Sequence, residues 1–126
     1  MAILKIAVAD DEPDTREYLQ EFLAHLGHEV RAAANGRQLV ELCREFGPDL
    51  VVTDYAMPGL NGLAAAAEVN RERHVPVILI SGRHDAEDAA LAPAHVVRFL
   101  AKPIKNAELK AVVESVAAAA AVKETG

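Results

Sequence analysis

The chain has no tryptophan, one cysteine and only 4% aromatic residues. A single cysteine cannot form an internal disulfide, which makes a reducing compartment the default expectation. Cys43 falls at helical spacing with Leu39 and Phe46, a pattern that predicts a core thiol and not a reactive one. Because aromatic rings are scarce and alanine is abundant, the composition favours helices that pack closely on a sheet.

The sequence also has few positively charged residues and lacks long apolar runs. The 13 Lys and Arg residues are outnumbered by 19 Asp and Glu, which gives a formal net charge of −6. A protein that binds nucleic acid directly needs a basic face, so this balance argues against that class. No apolar run is long enough to cross a bilayer, and the amino terminus lacks a signal-peptide pattern. We therefore expect a cytoplasmic protein that contacts neither nucleic acid nor membrane.

The 126 residues fit one domain, in which strand and helix patterns alternate five times. The patterns predict strands over 3–9, 29–33, 49–53, 75–80 and 96–100, and helices over 13–26, 35–46, 63–73, 84–92 and 106–122. The first, third and fourth strands are apolar on both faces, which is typical of a parallel sheet covered by helices on each side. The prediction is an α/β, doubly wound domain over residues 1–122, followed by a frayed tail over 123–126.

The five histidines, at positions 25, 28, 74, 84 and 95, show no grouping typical of a metal site. None of them has the features of a phosphotransfer histidine either. We expect all five on the surface.

Polar side chains that are capable of catalysis or ligand binding follow four of the predicted strands. They are Asp10 and Asp11 after the first strand, Asp54 after the third, Ser81 after the fourth and Lys102 after the fifth. The carboxyl ends of parallel strands share one edge, which is where ligands bind in such sheets. Clustered carboxylates require either a raised pKa or a bound cation, and oxygen ligands that leave room for water suit Mg²⁺.

Each of these features is weak when it stands alone. Paired aspartates before a helix usually serve capping, and an aspartate at a strand end is usually a turn former. Their joint occurrence at one edge indicates phosphoryl transfer, which depends mainly on positioning and charge neutralisation. Asp54, at the centre of the set, is then the natural nucleophile.

The chain resembles the receiver domains of bacterial two-component response regulators of the chemotaxis type. The matching segments are VADDEP (8–13), DLVVTDYAMPGLNG (49–62), ILISG (78–82) and FLAKP (99–103), which occur in order along the chain. The resemblance implies a flavodoxin-like (βα)5 fold, in which five parallel strands have the order 2-1-3-4-5.

The resemblance also implies a role for each residue near the acidic cluster. Asp54 would accept a phosphoryl group from a histidine kinase. Mg²⁺ would be ligated by Asp11, Asp54 and the backbone carbonyl of Ala56, with Asp10 acting mainly through water.

Further roles implied by the resemblance concern the phosphoryl group and the switch. Ser81 and Lys102 would contact phosphoryl oxygens, and the Lys102–Pro103 peptide is typically cis. Phe99 matches the switch aromatic, which turns inward when the Ser81 hydroxyl moves to the phosphate. Ala56 and Gly82, both small, would leave access to the phosphoryl group open.

These roles describe a phosphoacceptor switch, which is not an enzyme beyond its own self-catalysed phosphotransfer and autodephosphorylation. Its expected partners are a sensor histidine kinase or phosphotransfer protein, and a downstream protein. The downstream protein would bind the face made by the fourth helix, fifth strand and fifth helix, including Arg98, Lys105 and Glu108. We expect a monomer or weak dimer, either a stand-alone regulator or the receiver of a hybrid kinase.

Three alternatives share parts of this pattern. A haloacid-dehalogenase-type phosphatase also uses a strand-end aspartate and Mg²⁺, but it needs a second acid where this chain has Ala56. A flavodoxin-like cofactor carrier needs a Ser/Thr/Gly-rich loop after the first strand, whereas the loop here is DDEPD (10–14). A pseudo-receiver that only binds partners would have no reason to keep the acidic set intact.

Overall fold

The computed structural model describes residues 2–82 and 95–125, which form five strands and four helices. In chain order the elements are β1 (Lys5–Ala9), α1 (Pro13–His25), β2 (Glu29–Ala33), α2 (Gly36–Phe46), β3 (Leu50–Asp54), α3 (Gly62–Glu72), β4 (Val77–Ser81), β5 (Val96–Ala101) and α4 (Asn106–Thr125). The helix expected over 84–92 lies outside the described residues. The last helix extends past the expected domain boundary at 122, and the fraying of 123–126 stays a prediction.

All strand pairs are parallel, and the sheet has the order β2-β1-β3-β4-β5. This order confirms the doubly wound, flavodoxin-like fold. The register pairs Asp54 with Ile80 and Ser81 with Ala101, so neighbouring strands end at nearly the same level. The carboxyl ends of β1, β3, β4 and β5 therefore share one edge.

The core has two parts, one on each face of the sheet, because side chains alternate along a strand. Val51 and Leu79 point to the face covered by α2 and α3. Val52 and Ile78 point to the opposite face, which α1 and α4 cover. With both faces covered, the strands are buried along their length and serve as a rigid platform for the loops at the carboxyl edge.

Local signals in the sequence account for where the helices begin. The side-chain oxygen of Asn35 accepts a hydrogen bond from the Gln38 N–H (2.9 Å), and that of Asn61 accepts one from the Ala64 N–H (2.8 Å). These caps satisfy helix-terminal N–H groups that have no partner within the helix. Pro13 lies in the first turn of α1, where its missing N–H costs nothing.

The single cysteine lies in the core, as expected. Cys43 is buried in the cluster beneath α2, and burial raises the pKa of its thiol to about 11, against a smaller opposite effect of Arg73. The thiol is therefore protonated at neutral pH and has little nucleophilic character. Among the described residues, no helix combines the length and hydropathy that a membrane span requires.

The surface placement expected for His28 is wrong. Its side chain is buried, and its Nδ1 accepts a hydrogen bond from the backbone N–H of Leu4 at 3.0 Å. The imidazole thus takes the place of a backbone acceptor just before β2 begins. His25 and His74 are exposed as expected, His95 is half-buried, and position 84 lies outside the described residues.

This buried imidazole makes stability depend on pH. Burial lowers the pKa of His28 below its usual 6.5, so its stabilising effect is complete above pH 6.5 and is lost as pH falls towards the folded-state pKa. We expect the wild-type protein to lose stability relative to His28→Gln as pH falls below 6.5, because the glutamine amide accepts a hydrogen bond without titrating. Urea unfolding of both proteins at each pH measures this difference. Parallel pH profiles would contradict the assigned role of His28.

Candidate functional site

The parallel sheet brings the expected polar residues together at its carboxyl edge. Asp10 directly follows β1, Asp54 ends β3, Ser81 ends β4 and Lys102 directly follows β5. Asp10, Asp54 and Ser81 are buried, whereas Asp11 is exposed. One carboxylate oxygen from each of the three aspartates lies within 4.8 Å of the others. The structure thus brings together the acidic cluster that the strand ends predict.

Lys102 pairs with the central aspartate of this cluster. Its Nζ lies 3.1 Å from Oδ2 of Asp54, and the lysine side chain remains 40% exposed while that of Asp54 is 4% exposed. The other oxygen of Asp54, Oδ1, is buried and has no hydrogen-bond partner. One carboxylate oxygen is therefore held by an ammonium group, while the other is left unsatisfied.

The two carboxylate oxygens of Asp10 also differ in their hydrogen bonding. Oδ1 accepts a hydrogen bond from the backbone N–H of Glu12 at 2.8 Å, whereas Oδ2 is buried without a partner. Burial raises the pKa of Asp10; the Glu12 N–H lowers it, and the negative charge of Asp54 adds to the rise. Buried, unpaired carboxylate oxygens are costly unless a cation satisfies them.

The donor set fits Mg²⁺. Asp10, Asp11 and Asp54 offer only oxygen ligands, and the two orphaned oxygens belong to members of this cluster. Hard oxygen ligands from a few carboxylates, at a position that water can reach, are what Mg²⁺ prefers. Ala56, the expected backbone ligand, is exposed two residues beyond β3.

Backbone hydrogen bonds fix the strand ends against one another. The N–H of Lys102 donates to the carbonyl of Ser81 (2.9 Å), and the N–H of Tyr55 donates to the carbonyl of Ile80 (2.8 Å). The N–H of Gly62 in turn donates to the carbonyl of Tyr55 (2.8 Å), which closes the loop between β3 and α3. These hydrogen bonds therefore hold the backbone of the site residues in place.

The remaining residues of the expected site are placed as follows. The Lys102–Pro103 peptide is cis, as the resemblance implies. Gly82 follows Ser81 and is half-buried. Phe99 is half-buried and packs against the core cluster beneath α2 and α3. The switch role of Phe99 and the access roles of Ala56 and Gly82 stay predictions.

Two residues that the sequence does not single out also shape the site. The Arg16 guanidinium donates from Nη1 to the carbonyl of Asp10 at 2.9 Å and ties α1 to the acidic loop. The Thr53 hydroxyl donates to the carbonyl of Asp54 at 3.1 Å. Neither has a sequence signal, because an arginine on a helix and a threonine in a buried strand are ordinary at such positions.

Comparison with known proteins agrees with this geometry. The family model described as response regulator receiver domain matches residues 6–114. Protein PilH of Pseudomonas aeruginosa is 31% identical over 118 residues, which are 90% of this chain and 98% of PilH. The chain spans about half the length of several other curated relatives, which are named as transcriptional regulators.

Solved structures of receiver domains have the same fold. One from Clostridium thermocellum superposes with a TM-score of 0.88 at 27% identity, covering 97% of this chain and 98% of that one. The response regulator TrrA from Thermotoga maritima, solved in complex with Mg²⁺-BeF, gives a TM-score of 0.81 at 32% identity, covering 92% of this chain and 99% of TrrA.

Proposed function

The chain belongs to the response regulator receiver domain family, and from this premise we propose that it is a phosphoacceptor switch whose phosphorylated residue is Asp54. Its place in two-component signalling follows from the family. The observation that supports the finer assignment is the state of the Asp54 carboxylate, which is buried, paired with Lys102 on one oxygen and unpartnered on the other.

The chemical step is a phosphoryl transfer from a histidine side chain of the donor. A carboxylate oxygen of Asp54 attacks phosphorus, the new O–P bond forms and the P–N bond breaks. The imidazole leaves with the bonding electron pair and takes up a proton. Water later attacks the acyl phosphate, which releases inorganic phosphate and restores the carboxylate. Because Asp54 is itself the phosphoryl acceptor, the protein carries out self-catalysed steps and is not a turnover enzyme.

We propose that Mg²⁺ assists this step and that Asp10, Asp11 and Asp54 hold it, with the Ala56 carbonyl as a further ligand. When bound, the ion neutralises negative charge on the phosphoryl oxygens. The two orphaned carboxylate oxygens support this proposal, as does the presence of Mg²⁺-BeF in the TrrA structure.

Lys102 and Ser81 supply the contacts that couple phosphorylation to a change of shape. The Lys102 ammonium can move from Asp54 to a phosphoryl oxygen, and the Ser81 hydroxyl can donate to another. Charge-assisted hydrogen bonds contribute about 1.5–3 kcal/mol each, whereas moving a population from 1:99 to 99:1 takes about 5.5 kcal/mol. Three such contacts, from Lys102, Ser81 and a backbone N–H, supply about 4.5–9 kcal/mol, which is the magnitude needed to bury the Phe99 ring and shift the switch.

The output surface that we propose lies beside β5 and the start of α4. Arg98, Lys105 and Glu108 are exposed there, and the Lys105 Nζ lies 3.9 Å from an oxygen of Glu108. Part of the expected surface, the helix over 84–92, lies outside the described residues. The proposed partners are a histidine kinase or phosphotransfer protein and a downstream protein, all in the cytoplasm.

Phosphoryl uptake that requires Mg²⁺ tests the proposed function. We expect the intact mass to rise by one phosphoryl group when the protein is incubated with phosphoramidate and Mg²⁺. A chelator should suppress this gain, because three adjacent carboxylates then repel the anionic donor. Failure to gain mass in the presence of Mg²⁺ would contradict the proposed function and favour a pseudo-receiver that only binds partners.

A further inference from the structure

We propose that Thr53 is a positioning residue for the metal-binding end of the site, an inference that rests on the proposed function. Thr53 is completely buried next to the phosphoacceptor, and its hydroxyl donates to the Asp54 carbonyl at 3.1 Å. A buried hydroxyl needs a hydrogen-bond partner, and the partner of this one is the backbone of the phosphoacceptor residue.

The peptide group whose carbonyl accepts the Thr53 hydrogen bond is also hydrogen-bonded through its N–H. The peptide between Asp54 and Tyr55 has its carbonyl bonded to Thr53 and its N–H bonded to the carbonyl of Ile80 at 2.8 Å. The next carbonyl, that of Tyr55, accepts the Gly62 N–H at 2.8 Å. These three bonds determine the direction of the chain between the Asp54 carboxylate and Ala56.

The neighbouring glycine supports this interpretation. A Cβ atom added to Gly62 would collide with the Asp54 carbonyl and would come within 3.2 Å of the Thr53 hydroxyl oxygen. The hydroxyl and the carbonyl therefore face the start of α3 at close range. In this confined space the Thr53 hydroxyl supplies the Asp54 carbonyl with a buried hydrogen bond.

The orientation of the peptide between Asp54 and Tyr55 affects function through the proposed binding of Mg²⁺. The ion demands near-ideal octahedral geometry, so a small rotation of the peptide after Asp54 would displace both the carboxylate and the Ala56 carbonyl from their proposed ligand positions. Residues that orient metal ligands typically change metal affinity by 10- to 100-fold when they are replaced. Thr53 orients the backbone of a ligand residue, so we expect the lower end of that range.

The test measures Mg²⁺ affinity by calorimetry, and by tyrosine fluorescence in a protein that has no tryptophan and two tyrosines, of which Tyr55 follows the phosphoacceptor and Tyr18 lies on α1. We expect Thr53→Val, which keeps the shape and removes the donor, to weaken Mg²⁺ binding by about tenfold. Thr53→Ser keeps the hydroxyl and should remain within about twofold of the wild-type affinity. Val51→Ala is the matched control, because Val51 is buried on the same face of β3 and its truncation lowers stability without touching the site.

Three results would overturn the inference. Wild-type affinity in Thr53→Val, or an equal loss in Thr53→Ser, would show that the hydroxyl does not position the site. An equal loss of affinity in Val51→Ala would show that general destabilisation is the cause. Absence of Mg²⁺ binding in the wild-type protein would overturn the proposed metal site together with the inference, so the two failures are distinguishable.

Discussion

Replacing Asp54 with asparagine is expected to reduce phosphoryl uptake to background, the largest functional effect of any single substitution in this chain. The amide has nearly the shape of the carboxylate, so the fold should be retained. It carries no negative charge and is a poor nucleophile, so the O–P bond cannot form at a useful rate. Lys102 also loses its partner at 3.1 Å, which removes the charge pair at the centre of the site. Intact mass after incubation with phosphoramidate and Mg²⁺ measures the loss.

A suitable control is Asp14→Asn, which makes the same change of charge on the exposed first turn of α1. This control should take up a phosphoryl group at the wild-type rate. Undiminished uptake in the Asp54→Asn variant would place the phosphoryl group on another residue, with Asp10 and Asp11 as the nearest candidates. Slow residual uptake would be compatible with a side reaction at one of these two carboxylates.

The proximity of the expected site residues could be predicted from the sequence because the topology of a parallel sheet places them at one edge. Strand patterns precede or end at Asp10, Asp54, Ser81 and Lys102 in the sequence, and the carboxyl ends of parallel strands share one edge whatever the exact distances between the side chains. The fold class followed in the same way from buried strands that alternate with helices.

Other features could not be predicted from the sequence because they depend on which backbone groups lack hydrogen-bond partners in the folded chain. His28 is buried because its Nδ1 accepts the N–H of Leu4, a residue 24 positions away. The Thr53 hydroxyl donates to the carbonyl of Asp54, the last residue of β3. Periodicity and composition report which faces are apolar, and they carry no information on such single hydrogen bonds.

Replacing Gly62 with alanine is expected to destabilise the protein by roughly 2–3 kcal/mol, a large effect for a one-carbon change. Gly62 is the first residue of α3, and an added Cβ would collide with the carbonyl of Asp54. Both sides of this contact are backbone, so neither can rotate away as a flexible side chain would. Alanine has a helix propensity about 1 kcal/mol more favourable than that of glycine, which offsets part of the collision. Urea unfolding measures the net change.

The same substitution should lower phosphoryl uptake, because α3 can move outward only by pulling on the chain after β3. The Gly62 N–H holds the carbonyl of Tyr55, so the displacement is transmitted to Asp54 and Ala56. Gly82→Ala is the matched control for stability alone, since an added methyl group there meets no described atom within 4 Å and restricts the unfolded chain equally. A Gly62→Ala variant as stable as Gly82→Ala would contradict the close approach of α3 to β3. Reduced stability with normal uptake would show that the start of α3 supports the fold without orienting the site.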